Sequence, residues 1–101
     1  MVELPSCALD DAGLREQRAR YRALSASVTR LDRTADTVLI EFDEGLDRTT
    51  LDRALAVERQ CCPFFTLEFD ESKRLLRVGV REAAQLPALD AIAAALGAAG
   101  S

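Results

Sequence analysis

The sequence predicts an α+β fold: a two-layer α-β-β-α-β-β-α domain on a four-stranded, largely antiparallel sheet. Three observations predict it. Apolar spacing along the chain switches between about 3.6 and 2 residues, twice in each direction. Each stretch of period two holds a pair of alternating segments separated by a short polar turn. The 101 residues suffice for one hydrophobic core and no second, so a single domain over 1–101 is expected, frayed over 97–101.

Asp10 or Asp11 can cap a first helix over 10–28, in which Leu14, Tyr21, Leu24 and Val28 share one stripe with Gln17 inside it. Residues 28–33 and 36–43 then read as strands joined near Thr34-Ala35-Asp36, with Val38, Ile40 and Phe42 alternating against Leu39 and Glu41. Thr49, with Asp52 three residues on, resembles a capping box and predicts a second helix over 49–61. Pro63 ends it. Phe65, Leu67 and Phe69 restore period two, Asp70-Glu71-Ser72-Lys73 makes a hairpin turn, and Leu76, Val78 and Val80 form the partner strand. A last helix starts near Pro87, buries Leu89, Ile92, Ala93 and Leu96, and stops at Gly97. Helices on one face leave the other sheet face, with Glu41, Glu68, Arg77 and Arg81, open.

Composition removes several classes of function. There is no histidine, which excludes Ser-His-Asp and Cys-His catalysis and His-ligated zinc. With no Trp and one Tyr, no aromatic platform exists for stacking bases, and the net charge of −4 gives no general attraction to nucleic acid or anionic membrane. Neither nucleic acid nor membrane is an expected partner. No apolar run reaches the roughly 20 residues of a membrane span, and the N-terminus does not read as a secretory signal. The expected location is cytoplasmic, where three cysteines serve as free thiols or ligands rather than disulfides.

Chemistry concentrates in Glu58-Arg59-Gln60-Cys61-Cys62-Pro63-Phe64-Phe65. With Leu51 at 0° and about 100° per residue, Glu58 falls at about 340° and Cys61 at about 280°, inside the buried face. An unpaired carboxylate there costs several kcal/mol, so a partner is required: Arg59, Arg53, the first-helix arginines, the Tyr21 hydroxyl or a metal. Pro63 turns Cys62 out of the helical region, so the two sulfurs can converge. A helix C-terminus opposes a thiolate, whereas a soft cation deprotonates its own ligands. Cys7 precedes the first helix. If that helix packs antiparallel to the second, Cys7 comes toward Cys61 and Cys62. Three thiolates without histidine suit Hg(II), Cd(II), Cu(I) or As(III), and Zn(II) would take Glu58 as fourth ligand. The competing reading makes Cys-Cys-Pro-Phe-Phe a packed corner with cysteine as a small apolar residue.

The pattern C-A-L-D-x-x-x-L-x-x-x-R-x-x-Y-x-x-L over 7–24, followed by L-x-x-x-x-x-V-E-R-x-C-C-P-F-F over 51–65, resembles a group of small bacterial proteins. That group is associated with heavy-metal, especially mercury, resistance and with MerR-type regulators. The resemblance implies that Cys7, Glu58, Arg59, Cys61, Cys62, Pro63 and Phe64 are its defining positions. No DNA-binding half is recognisable in the chain.

The function expected is binding or sensing of a soft metal or metalloid ion by a small cytoplasmic thiolate protein, with turnover left open by the sequence. Cys7, Cys61, Cys62 and Glu58 are the candidate ligands, supported by Arg59, Tyr21, Pro63 and Phe64. Two rivals stand beside it. One is an interaction domain, homodimeric through the open sheet face or the last helix. The other is a thiol redox protein in which one cysteine attacks and another resolves. The stripe Arg15, Arg18, Arg22 reads as a solvated flank, and Glu41, Asp43, Glu44 and Asp47 as an acidic turn without EF-hand spacing.

Overall fold

The computed structural model describes residues 11–61 and 64–97. Its elements are α1 (Asp11–Ser25), β1 (Val28–Arg33), β2 (Thr37–Phe42), α2 (Arg48–Cys61), β3 (Thr66–Asp70), β4 (Leu75–Gly79), a single 3-10 turn (Ala83–Gln85) and α3 (Leu86–Gly97). This is the expected α-β-β-α-β-β-α order. The four strands pair antiparallel throughout in the order β1-β2-β4-β3.

Register assigns the two faces. Leu31 pairs with Ile40, Ile40 with Leu76, and Leu76 with Phe69, which gives an apolar row under the helices. One residue along, Asp32, Leu39, Arg77 and Glu68 form the corresponding row on the open face. Val38, Ile40, Leu76 and Val78 are fully or almost fully buried, whereas Glu41, Glu68 and Arg77 are exposed. The period of two in the sequence is therefore the inside–outside alternation of the sheet.

Two hairpins carry this register. The four-residue loop between β3 and β4 is organised by Asp70, whose Oδ1 accepts Ser72 N–H at 3.0 Å and Lys73 N–H at 3.2 Å. Arg74 closes it in the left-handed region at φ 51°, which is uncommon for a residue with a Cβ. Phe42 holds it there: Phe42 N–H donates to the Arg74 carbonyl at 2.9 Å, and Arg74 Nε donates to the Phe42 carbonyl at 3.2 Å.

The cap of α2 corrects the sequence reading. Asp47, and not Thr49, supplies it, with Oδ1 accepting Thr50 N–H at 3.1 Å and the Asp47 carbonyl accepting Leu51 N–H at 3.0 Å. A carboxylate two residues earlier meets the first free amides of the helix, so the helix starts at Arg48. Arg48 then ties this end of α2 to the second hairpin, bonding Glu71 at 2.9 Å and Asp52 at 3.3 Å and lying 4.6 Å over the Phe69 ring.

Connectivity sets the helix directions. Ser27, just after α1, accepts Asp43 N–H at 2.8 Å, and Arg48 at the start of α2 reaches the β3–β4 loop beside Phe42. The end of α1 and the start of α2 thus share one end of the sheet. The helices run antiparallel, and Asp11 and Cys61 lie toward the other end. Among the described residues no helix is long and apolar enough to cross a membrane.

Candidate functional site

The α1–α2 seam is where the sequence places a carboxylate against the core, and the structure buries it. Glu58 is 8% exposed, between Gln17 at 6%, Tyr21 at 8% and Cys61 at 7%. Gln17 and Tyr21 are four apart on α1, and Glu58 and Cys61 three apart on α2, so each pair shares a face.

Hydrogen bonds across the seam converge on one atom. The Tyr21 hydroxyl donates to Glu58 Oε2, and Gln17 Nε2 donates to the same oxygen at 3.2 Å. Gln17 Nε2 also reaches the Ala54 carbonyl at 3.0 Å. That contact with helix backbone is possible because Ala54, fully buried, keeps the two helices close. Gln17 Oε1 accepts Arg20 Nη1 at 2.8 Å, and Arg20 lies 3.9 Å from Glu16. Arg20 thus bonds to Gln17 and makes no direct hydrogen bond to Glu58.

Glu58 is thus held by two neutral donors and forms no ion pair with a described residue. Of the partners considered from sequence, the Tyr21 hydroxyl is found. The arginine partners considered from sequence are not: Arg53 and Arg59 both face solvent. Gln17 went unassigned in the sequence reading. Its signal was a polar residue inside an apolar stripe, which only a buried partner explains.

Cys61 is buried as the last residue of α2, on the same face as Glu58. Phe64 is half-buried and packs on Phe65 with ring centroids 4.9 Å apart and planes at 58°. Cys7, Cys62 and Pro63 lie outside the described residues, as does the tail over 98–101. Among the described residues, no three cysteine, aspartate or glutamate side chains come together. One thiol and one carboxylate of the expected set of four ligands are placed, on one face of one helix.

What this arrangement can do follows from its donors and acceptors. An ionised carboxylate is acceptor-only, with room for more than two donors, and here the described donors crowd onto one oxygen. Its acceptor capacity is therefore not exhausted by the two described donors. No protein-family model, curated protein or solved structure matches the chain.

Proposed function

We propose that the protein binds a soft metal or metalloid ion, with Cys7, Cys61 and Cys62 as thiolate ligands and Glu58 as fourth ligand or as the carboxylate that orients them. One observation carries the reading: Glu58 is buried on the same helix face as a buried thiol, with neutral partners and no paired cation among the described residues. A bound cation supplies the charge this corner lacks and offsets its desolvation. Tyr21 and Gln17 then act as the outer hydrogen bonds that fix a ligating or neighbouring carboxylate.

The choice of ion follows from the donors. Sulfur ligands without imidazole favour Hg(II), Cd(II), Cu(I) and As(III), and Zn(II) requires the Glu58 oxygen to complete four-coordination. The antiparallel α1 supports the inclusion of Cys7, because Asp11, four residues after it, begins at the Cys61 end. A four-residue tether spans at most about 14 Å.

Native mass spectrometry of the reduced full chain with Hg(II), Cd(II), Zn(II) and arsenite tests this. One ion per chain is expected, surviving a monothiol competitor, and lost in Cys61→Ser and Cys62→Ser. Spectra showing only the bare chain with every ion would overturn the reading.

A further inference from the structure

A pocket of about 300 Å³ opens beside the end of α2, lined by Phe64, Phe65, Thr66, Arg81, Glu82 and Gln85. This is the lower end of the range for small-ligand sites, about 300–1,000 Å³. Its walls are fixed from both sides. Phe64 and Phe65 pack on each other, and Gln85 Oε1 accepts the backbone N–H groups of Arg81 at 3.2 Å and Glu82 at 3.3 Å. The Gln85 side chain therefore holds the chain segment that carries both charges.

Neither charge is used in an ion pair, although Glu82 and Gln85 form a capping box on this turn. Arg81 and Glu82 are exposed, and neither forms an ion pair with any described residue, including each other. Elsewhere on the surface Arg30, Arg33 and Arg48 each find a carboxylate within 3.3 Å. The lining thus offers one cation, one anion and two aromatic rings within a small volume.

We propose that this pocket binds a small zwitterion with an apolar body, of the chemistry of an apolar or aromatic α-amino acid. The lining decides between classes of ligand. A plain carboxylate meets Arg81 but also faces Glu82. A plain amine meets Glu82 but faces Arg81. A molecule bearing both charges on one carbon satisfies both, and its apolar body lies on the Phe64–Phe65 wall. Charge-assisted hydrogen bonds at each end supply orientation and most of the contact, and the Phe64–Phe65 pair closes one side of a mainly polar pocket. The pocket shares Phe64 with the surroundings of the thiolate corner, but none of its six lining residues is a candidate ligand, so its test needs no metal.

The test is an amide NMR titration of the full chain, freed of metal by a chelator, with L-phenylalanine, 3-phenylpropionate and 2-phenylethylamine. Saturable shifts confined to the amides around 64–66 and 81–85 are expected with L-phenylalanine. Its Kd should be about tenfold lower than that of either singly charged analogue. Arg81→Gln should weaken L-phenylalanine to the level of the amine, and Glu82→Gln to the level of the carboxylate. Arg77→Gln, on the open sheet face, should leave binding unchanged. Each variant sits at an exposed position, and its melting curve checks that it folds. Shifts that never saturate, shifts spread elsewhere, or an analogue binding as well as the zwitterion would each overturn the proposal.

Discussion

The seams that join α2 and α3 to the rest of the domain lie on the same face of the same sheet but are built from opposite materials. α3 packs on α1, β1 and β2 through Leu89, Ile92 and Leu96, none more than 4% exposed. Its polar contact, Arg33 to Asp90 at 2.8 Å, sits at the rim, where the Asp90 side chain is 66% exposed. The α1–α2 seam puts its polar groups inside, with Gln17, Tyr21 and Glu58 at the depth where α3 has leucine and isoleucine. The α3 seam demonstrates that this sheet can hold a helix with apolar side chains alone. Glu58 is therefore not required for packing, and an apolar replacement of a buried charged network is often neutral or stabilising. What Glu58 adds is an acceptor inside the seam, which takes the Tyr21 hydroxyl and the Gln17 amide.

The largest expected effect falls on the apolar seam. Leu89→Ala leaves a cavity under α3 and should cost about 2–5 kcal/mol in urea unfolding. A loss below about 1 kcal/mol would mean that α3 is loosely held and that the comparison has no fixed end.

Next comes the gain from an ion at the polar seam. If the thiolates bind, the wild type at a hundredfold excess of ion over Kd gains about 2.7 kcal/mol. Cys61→Ser and Cys62→Ser should lose this gain, while Leu89→Ala, destabilised though it is, should keep it in full. A wild-type melting curve that does not move with Hg(II) or Cd(II), with thiols confirmed reduced, would leave cysteine as a packing residue.

The polar network itself should show non-additive energetics. Tyr21→Phe removes one of the two donors on Glu58 Oε2, and Glu58→Met removes the acceptor shared by Tyr21 and Gln17, so each should cost about 1–3 kcal/mol. The double variant Tyr21→Phe/Glu58→Met removes the mismatch and should be less destabilised than the sum of the two. Its ion-dependent gain should fall at the same time. A double variant as unstable as the sum would show that the network stabilises the seam by itself, with no need of an ion.

Much of this contrast could be read from residue spacing. The apolar period placed every strand, the α3 face and the burial of Glu58, because those follow from which side chains must leave water. The Tyr21 hydroxyl stood among several partners open to Glu58, beside the arginines and a metal, and the helix phase did not choose between them. Gln17 was visible as an anomaly but without a partner, since contacts across helices depend on their offset, which a single helix does not encode. The α2 cap was misread for a related reason. Thr49 and Asp52 satisfy a local pattern, but Asp47 reaches the first free amide from outside the helix, and the choice between them depends on how the preceding loop enters. The Arg81–Glu82 pocket had no signal in the sequence at all, because it forms only when the exit from α2 meets the segment after β4.

The smallest effect isolates α2 from its own polar end. Asp47 sits at the start of the helix, far along it from Cys61. Its carboxyl is held below the usual carboxylate range by the Thr50 backbone N–H, then by the Thr50 side chain. A folded-state value below the unfolded one means the charged cap stabilises the protein above the unfolded pKa, near 3.8, and that this contribution is lost as pH falls through the folded value. Asp47→Ala should therefore lower Tm modestly at pH 7, with the gap to wild type closing as pH drops below about 4. Because the cap acts on helix formation and not on the thiolate corner, the ion-dependent rise in Tm should be the same in Asp47→Ala as in the wild type. If removing the cap also removes that rise, the ion is responding to the stability of α2 as a whole, and the distinction between its capped end and its thiol end does not hold.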